Sequence, residues 1–235
     1  MAMTMNAQTK MWLDPEVNYE NRKEPRAAYF AYENIDLAAK GDKSESTHYL
    51  NMEGDWKFNF VTHHNEAPEG FYAVGYDDSQ WVTFPVPGLF EILGYGDRIY
   101  KNFGFAWCNQ FEPNPPYVEE RNNYTGSYRR SFLVPADWKG QQIVLHVGSA
   151  TSNLMVWVNG KYVGYSEDSK VAAEFDITPY LVPGKENLIA MQVMRWCDGS
   201  YFEDQDFWRF TGIAREVYMY ARPEVRVDDL FILPD

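Results

Sequence analysis

The stretch 195–213, RWCDGSYFEDQDFWRFTGI, sets Asp198, Glu203, Asp204 and Asp206 among Trp196, Tyr201, Phe202, Phe207, Trp208 and Phe210. A solvated acidic turn would not carry so many rings, and a plain core would not carry so many carboxylates. Buried carboxylates are costly unless they meet a cation, a hydrogen-bond donor or a polyol. A sugar answers both demands, because its hydroxyls pair with fixed carboxylates while its C–H faces lie on aromatic rings. Part of a carbohydrate site is therefore one reading of the stretch. A buried Asp/Arg/Trp network pinning a loop to a sheet, with Arg195 and Arg209 as counter-ions, is the other, and spacing alone does not separate them.

The elements that must hold such a loop are strands. A chain of 235 residues with 45% hydrophobic residues fills one large β domain or two small ones. The net charge of -13, from 34 acidic against 21 basic residues, repels a phosphate backbone, so nucleic acid is excluded as a partner and neutral substrates fit better. No run approaches the roughly 18 apolar residues of a membrane helix, and the opening MAMTMNAQTK lacks the apolar core of an export signal. No membrane partner is expected. Localisation stays open: cytoplasmic as the chain stands, periplasmic had an export signal been trimmed. Cys108 and Cys197 make no disulfide framework, and no zinc spacing joins them to His48, His63, His64 or His146.

Read in order, residues 1–45 form an extended arm whose aromatics, Trp12, Tyr19, Tyr29, Phe30 and Tyr32, must pack on their own domain or a neighbouring subunit, with a helical turn at 27–32. Period-two alternation over 55–61 puts Trp56, Phe58 and Phe60 on one face of a half-buried strand. Pro85 and Pro87 make 76–88 an edge element, and 88–111 is a long loop of the kind that usually has a function. Regular strands follow at 126–134, 142–147, 153–158, 161–165, 174–177, 187–194 and 214–220. Asn159-Gly160 marks a hairpin, since both residues tolerate the positive φ of a type I′ turn. Short strands with almost no helix define an all-β chain, a jelly-roll β sandwich over 46–222. Residues 223–235 read as a linker and the first strand of a further domain.

The motifs NPPYV, TGSYRRSF, WVNGKYVGYSEDS, EFDIT, ENLIAMQVMRW, DGSYFEDQDFWR and GIAREVYMY together closely resemble the N-terminal sugar-binding domain of glycoside hydrolase family 2 beta-galactosidases. The resemblance spans essentially the whole chain, and the EDQDFWR run resembles the beta-galactosidase branch in particular. It implies one domain of a large retaining glycosidase that hydrolyses terminal beta-galactosides. The two catalytic glutamates of such an enzyme stand about 5 Å apart on a TIM barrel further along, so no catalytic residue is expected here. An Ig-like domain and that barrel are the implied intramolecular partners, and a homo-oligomer is compatible with the aromatic arm.

By the same resemblance, Asp206 matches the aspartate that contacts the sugar and helps to hold a sodium ion, and Asn102 in IYKNF matches an asparagine that hydrogen-bonds the substrate. Both roles suit the chemistry, since a carboxylate gives sodium a hard oxygen and an amide both donates to and accepts from a hydroxyl. Magnesium is implied between arm and domain, at Asp14, the Val17 carbonyl, Glu167 and Asp198. Asp14 stands where the family pattern has asparagine, and Glu167 where it has glutamine. The run FGFAWCNQFEP after Asn102 is longer than the pattern. Within the acidic stretch, Arg195, Trp196, Trp208 and Arg209 are expected to fix the loop, Asp198 and Asp204 to be structural, and Asp206 to face sugar. An independent galactose-binding module or lectin, and a purely structural interaction domain, are the alternative functions. The sequon Asn123-Tyr124-Thr125 is discounted as a glycosylation site.

Overall fold

Alternate residues along the strands of this chain face one shared apolar core. The computed structural model, which describes residues 11–182, 184–203 and 206–234, accordingly packs two antiparallel sheets against each other. The larger contains β1 (Tyr19–Glu20), β3 (Gly54–His63), β4 (Val82–Val86), β7 (Arg121–Leu133), β10 (Leu154–Val158), β11 (Lys161–Ser166) and β13 (Glu186–Met194), in the order β1-β11-β10-β13-β7-β3-β4. The smaller contains β2 (Tyr49–Asn51), β8 (Gln142–Val147), β12 (Ala173–Asp176) and β16 (Val217–Arg222), in the order β12-β8-β16-β2. Phe58, Tyr128, Val156 and Met191 of the first sheet meet Leu145, Phe175, Val217 and Met219 of the second in one core. Each such side chain contributes about 1.5–3 kcal/mol by leaving water. The chain is an all-β sandwich.

Three local signals hold. Trp56 and Phe58 are buried and Phe60 partly so, as alternation along β3 requires. β4, with Pro85, is an edge strand, because proline has no N–H to give a second neighbour. Asn159 and Gly160 turn the β10–β11 hairpin with φ of 51° and 78°.

The arm lies on its own domain. β1 adds to the edge of β11, the Lys23 amide donates to the Glu174 carbonyl, and Trp12 is buried edge-on against His64 at 4.6 Å. Residues 27–32 are not helical, contrary to the sequence reading. They stay extended so that Phe30 reaches Tyr49, Tyr218 and Tyr220 on the outer face of the smaller sheet. The helix comes later, as α1 (Ile35–Lys40), capped by the Asn34 side chain and by Gly41 at φ 71°. Residues 223–234 carry no strand. They run beside the arm, where Asp229 accepts from the Ala27 amide at 2.9 Å and the Val227 carbonyl accepts from the Tyr29 hydroxyl. Asn123 of the sequon is buried, its amide spent on both backbone atoms of Trp196, so no glycan can be attached in the folded state.

Three short strands close one side of the sandwich: β5 (Gly88–Leu89), β9 (Ala150–Thr151) and β15 (Gly212–Ile213), in the order β5-β15-β9. Next to β15 in the chain stands a two-stranded ribbon of β6 (Ile99–Lys101) and β14 (Phe207–Arg209).

Candidate functional site

The ribbon brings the two sequence-predicted sugar contacts together. Its register pairs Ile99 with Arg209, Tyr100 with Trp208 and Lys101 with Phe207. The next position on each side is Asn102 and Asp206, both exposed. Two residues more than a hundred apart in sequence thus adjoin at one ribbon end, an amide beside a carboxylate. The Tyr100 hydroxyl donates to Asp206 Oδ1 at 3.1 Å. Sequence reasoning gave Tyr100 no such role, although its place two residues before Asn102 was a usable signal.

Behind the ribbon lies a buried polar base. Arg195 is 5% exposed, with its guanidinium over Tyr124 at 4.7 Å and Trp196 at 5.1 Å, and Nη2 donates to the Asp97 carbonyl at 2.9 Å. Glu91, 1% exposed, accepts from the Thr211 amide and hydroxyl, each at 2.8 Å. Burial still pushes the Glu91 carboxyl up, against those two bonds and the attraction of Arg195. Arg195, Trp196 and Arg209 are buried, as expected of residues that fix the loop. Trp208 is not one of them. It is 50% exposed, because β14 turns its alternate side chains outward, and its ring lies beside Tyr100 at 5.2 Å. Asp204 lies outside the described residues. Glu203 accepts from the Ser169 amide and hydroxyl at 3.2 and 2.8 Å, which is a structural use.

The second predicted set is partly assembled. Glu167 and Asp198 are buried and hydrogen-bonded to each other, and their carboxylate oxygens and Cys197 Sγ lie within 4.8 Å of one another. Burial first, and then the bond with Asp198, push the Glu167 carboxyl up to about 9, while the hydrogen bond from the Tyr165 hydroxyl pulls the other way. The arm reaches this pair from two sides: the turn Met11–Leu13 packs on the turn Asp198–Tyr201, and the Asn18 carbonyl accepts from the Glu167 amide at 3.1 Å. Asp14 is exposed and accepts from the Glu16 amide at 3.1 Å, and Val17 is half-buried. No hydrogen bond joins either of them to Glu167 or Asp198. Cavities of about 560 Å³ beside the arm and about 800 Å³ within the loop 107–119 are bordered by none of the predicted site residues.

An all-β sandwich thus presents a carboxylate, an amide and two half-exposed rings at one edge, groups that can pair with hydroxyls and stack on C–H faces. The family described as "Glycosyl hydrolases family 2, sugar binding domain" matches residues 49–223. The chain belongs to that family. It is 37% identical to the beta-galactosidase of Priestia megaterium over 93% of its own length and 21% of that protein. It is 34% identical to the beta-galactosidase of Streptococcus thermophilus over 100% of its length and 22% of that protein. The chain therefore spans about a fifth of these relatives. Among solved structures, a Bacteroides vulgatus beta-glycosidase matches 74% of this chain and 20% of its own, at 28% identity and a TM-score of 0.53. Bacteroides uniformis beta-glucuronidase matches 74% and 18%, at 25% identity and a TM-score of 0.55. Among the described residues, no helix is long and apolar enough to cross a membrane.

Proposed function

We propose that this chain is the N-terminal domain of a retaining beta-galactosidase, in which Asn102 and Asp206 form one wall of the galactose pocket and the catalytic glutamates come from a downstream barrel. The observation that carries the reading is the register of β6 and β14, which adjoins the two residues at an open edge. Asn102 donates to and accepts from sugar hydroxyls, and the Asp206 carboxylate accepts from one of them. A sodium ion fits this edge, because Asp206 offers a hard, exposed oxygen, and the barrel would complete its shell. A substrate enclosed by two domains loses most of its water, which one wall alone cannot achieve.

Magnesium fits the inner pair by donor chemistry. Glu167 and Asp198 bring hard oxygens close enough to share one proton, and a divalent cation would let both ionise. Asp14 and the Val17 carbonyl are the arm residues that would join them, tying arm to domain. Cys197 is a soft donor and is no part of that set. The organisation that goes with this reading is an arm over 1–45, a jelly-roll domain over 46–222 and a linker from 223 into an Ig-like domain, in a homo-oligomeric enzyme.

In the full-length protein, Asp206→Asn removes a charged hydrogen-bond acceptor worth about 2 kcal/mol, so KM for a chromogenic beta-galactoside should rise roughly 30-fold. The response of KM to added sodium should flatten at the same time. An unchanged sodium titration would remove the role given to Asp206.

A further inference from the structure

The ribbon that carries the polar pair also carries an aromatic one. Tyr100 and Trp208 face each other across it with ring centroids 5.2 Å apart, and Phe210 stacks on Trp208 at 5.8 Å with 8° between planes. Tyr100 and Trp208 are each 50% exposed, so half of a large apolar surface is left in water beside a charged edge. Tyr100 and Trp208 stand two residues from Asn102 and Asp206, about 7 Å along an extended backbone. The Tyr100 hydroxyl bond to Asp206 ties the rings to the carboxylate.

We propose that Tyr100 and Trp208 form a subsite for the second ring of the substrate, the sugar or other ring joined through the glycosidic oxygen to the galactose. The inference rests on the reading that Asn102 and Asp206 hold that galactose. A pyranose presents equatorial hydroxyls at its rim and C–H bonds on its faces, so two linked rings need polar groups and an aromatic plane side by side. The ribbon supplies them two residues apart. A protein segment fits the same surface poorly: an apolar helix seated on Trp208 would bury Asp206 and Asn102 against hydrocarbon, at a cost that neither hydroxyl nor cation would offset. Phe210 behind Trp208 holds the indole plane, which favours stacking over a mobile contact.

The test uses the full-length enzyme with two substrates, a galactosyl disaccharide and methyl beta-galactoside, whose methyl group is too small to reach Trp208. Trp208→Ala should lower kcat/KM for the disaccharide about tenfold, chiefly through KM, and change the methyl galactoside by less than about twofold. Trp208→Phe should restore most of the disaccharide rate. An equal loss on both substrates, or no loss on either, would overturn the subsite. Should Trp208→Ala fail to fold, Trp208→Leu removes the ring while keeping apolar volume at the position and reads the same ratio. Asn102→Ala is the control for the underlying reading and should weaken both substrates alike. If it spares both while Trp208→Ala remains selective, the galactose assignment falls and the aromatic subsite stands.

Discussion

The arm should be fastened to the sandwich by one buried carboxylate. Glu174 on β12 is 7% exposed and accepts from Arg26 Nε and Nη2 at 3.0 Å each and from His146 Nδ1 at 3.0 Å, while Arg26 Nη2 also donates to the Tyr220 hydroxyl at 3.1 Å. Burial alone would raise the Glu174 carboxyl; the hydrogen bond from His146 and the charge of Arg26 outweigh it and bring it from the ordinary 4.5 down to about 2. At 1.36 kcal/mol per pH unit, that difference corresponds to about 3 kcal/mol of stability. Because the folded value lies below the unfolded one, the stabilisation is complete above pH 4.5 and is lost as pH falls toward 2. Glu174→Gln should therefore cost about 3 kcal/mol in urea denaturation at pH 7, and the gap to the unsubstituted chain should narrow to roughly half by pH 3. The freed arm should also be cut faster by protease between residues 19 and 32. A gap that stays constant from pH 7 to pH 3 would refute the assignment of this energy to the ionised carboxylate.

Two further perturbations test the scaffold. Burial beside Trp12 lowers the His64 imidazole to about 4, so its neutral form stabilises the fold above pH 6.5 and up to about 3 kcal/mol is lost as pH falls through 4. His64→Phe keeps the ring contact and should abolish that slope in a pH series of melting temperatures; an unaltered slope between pH 6.5 and 4 would sink the idea. Asn159 holds φ 51° while its amide donates to the Tyr180 carbonyl and Asn187 Oδ1 at 2.9 and 2.7 Å and its carbonyl oxygen accepts from the Leu188 amide at 2.9 Å. Asn159→Ala should cost about 3–4 kcal/mol, and Asn159→Gly about 1 kcal/mol less, because glycine loses the bonds but not the left-handed backbone. Equal denaturation midpoints for the two variants would show that backbone strain is not part of the cost.

What could be read from the sequence was what local physics writes there. Period-two alternation located β3, and Asn159-Gly160 located the β10–β11 hairpin, since a strand face or a turn is decided within a few residues. Trp196 and Trp208 show where local reading stops. The two tryptophans occupy the same kind of acidic aromatic surroundings, yet one is 4% exposed and the other 50%, because only the pairing with β6 decides which way each points. Glu91 could not be singled out either, as its two bonds go to Thr211, 120 residues away. The arm failed for a similar reason: Ala27 and Ala28 favour a helix by propensity, and the distant cluster of Tyr49, Tyr218 and Tyr220 draws Phe30 into an extended path instead. Asn102 and Asp206 became legible only through family resemblance, and their adjacency only through the ladder.

That adjacency also explains why the acidic stretch mixes buried and exposed charge. A ribbon of three residue pairs is too short to be stable alone, so its position depends on what holds its ends. On one side Glu91 grips Thr211 just before β15, and Gly212 pairs with both Leu89 and Thr151; on the other Arg195 is clamped between Tyr124 and Trp196. Gly212 stands at φ 120°, and a side chain there would meet the Gly88 carbonyl oxygen at 2.5 Å, so β15 can approach β5 only because this residue has none. The buried carboxylate and guanidinium are thus the cost of presenting Asp206 and Asn102 on a fixed edge. In the pocket proposed above, a wall held at both ends would need little ordering on binding, which would leave more of each hydrogen bond available to the sugar.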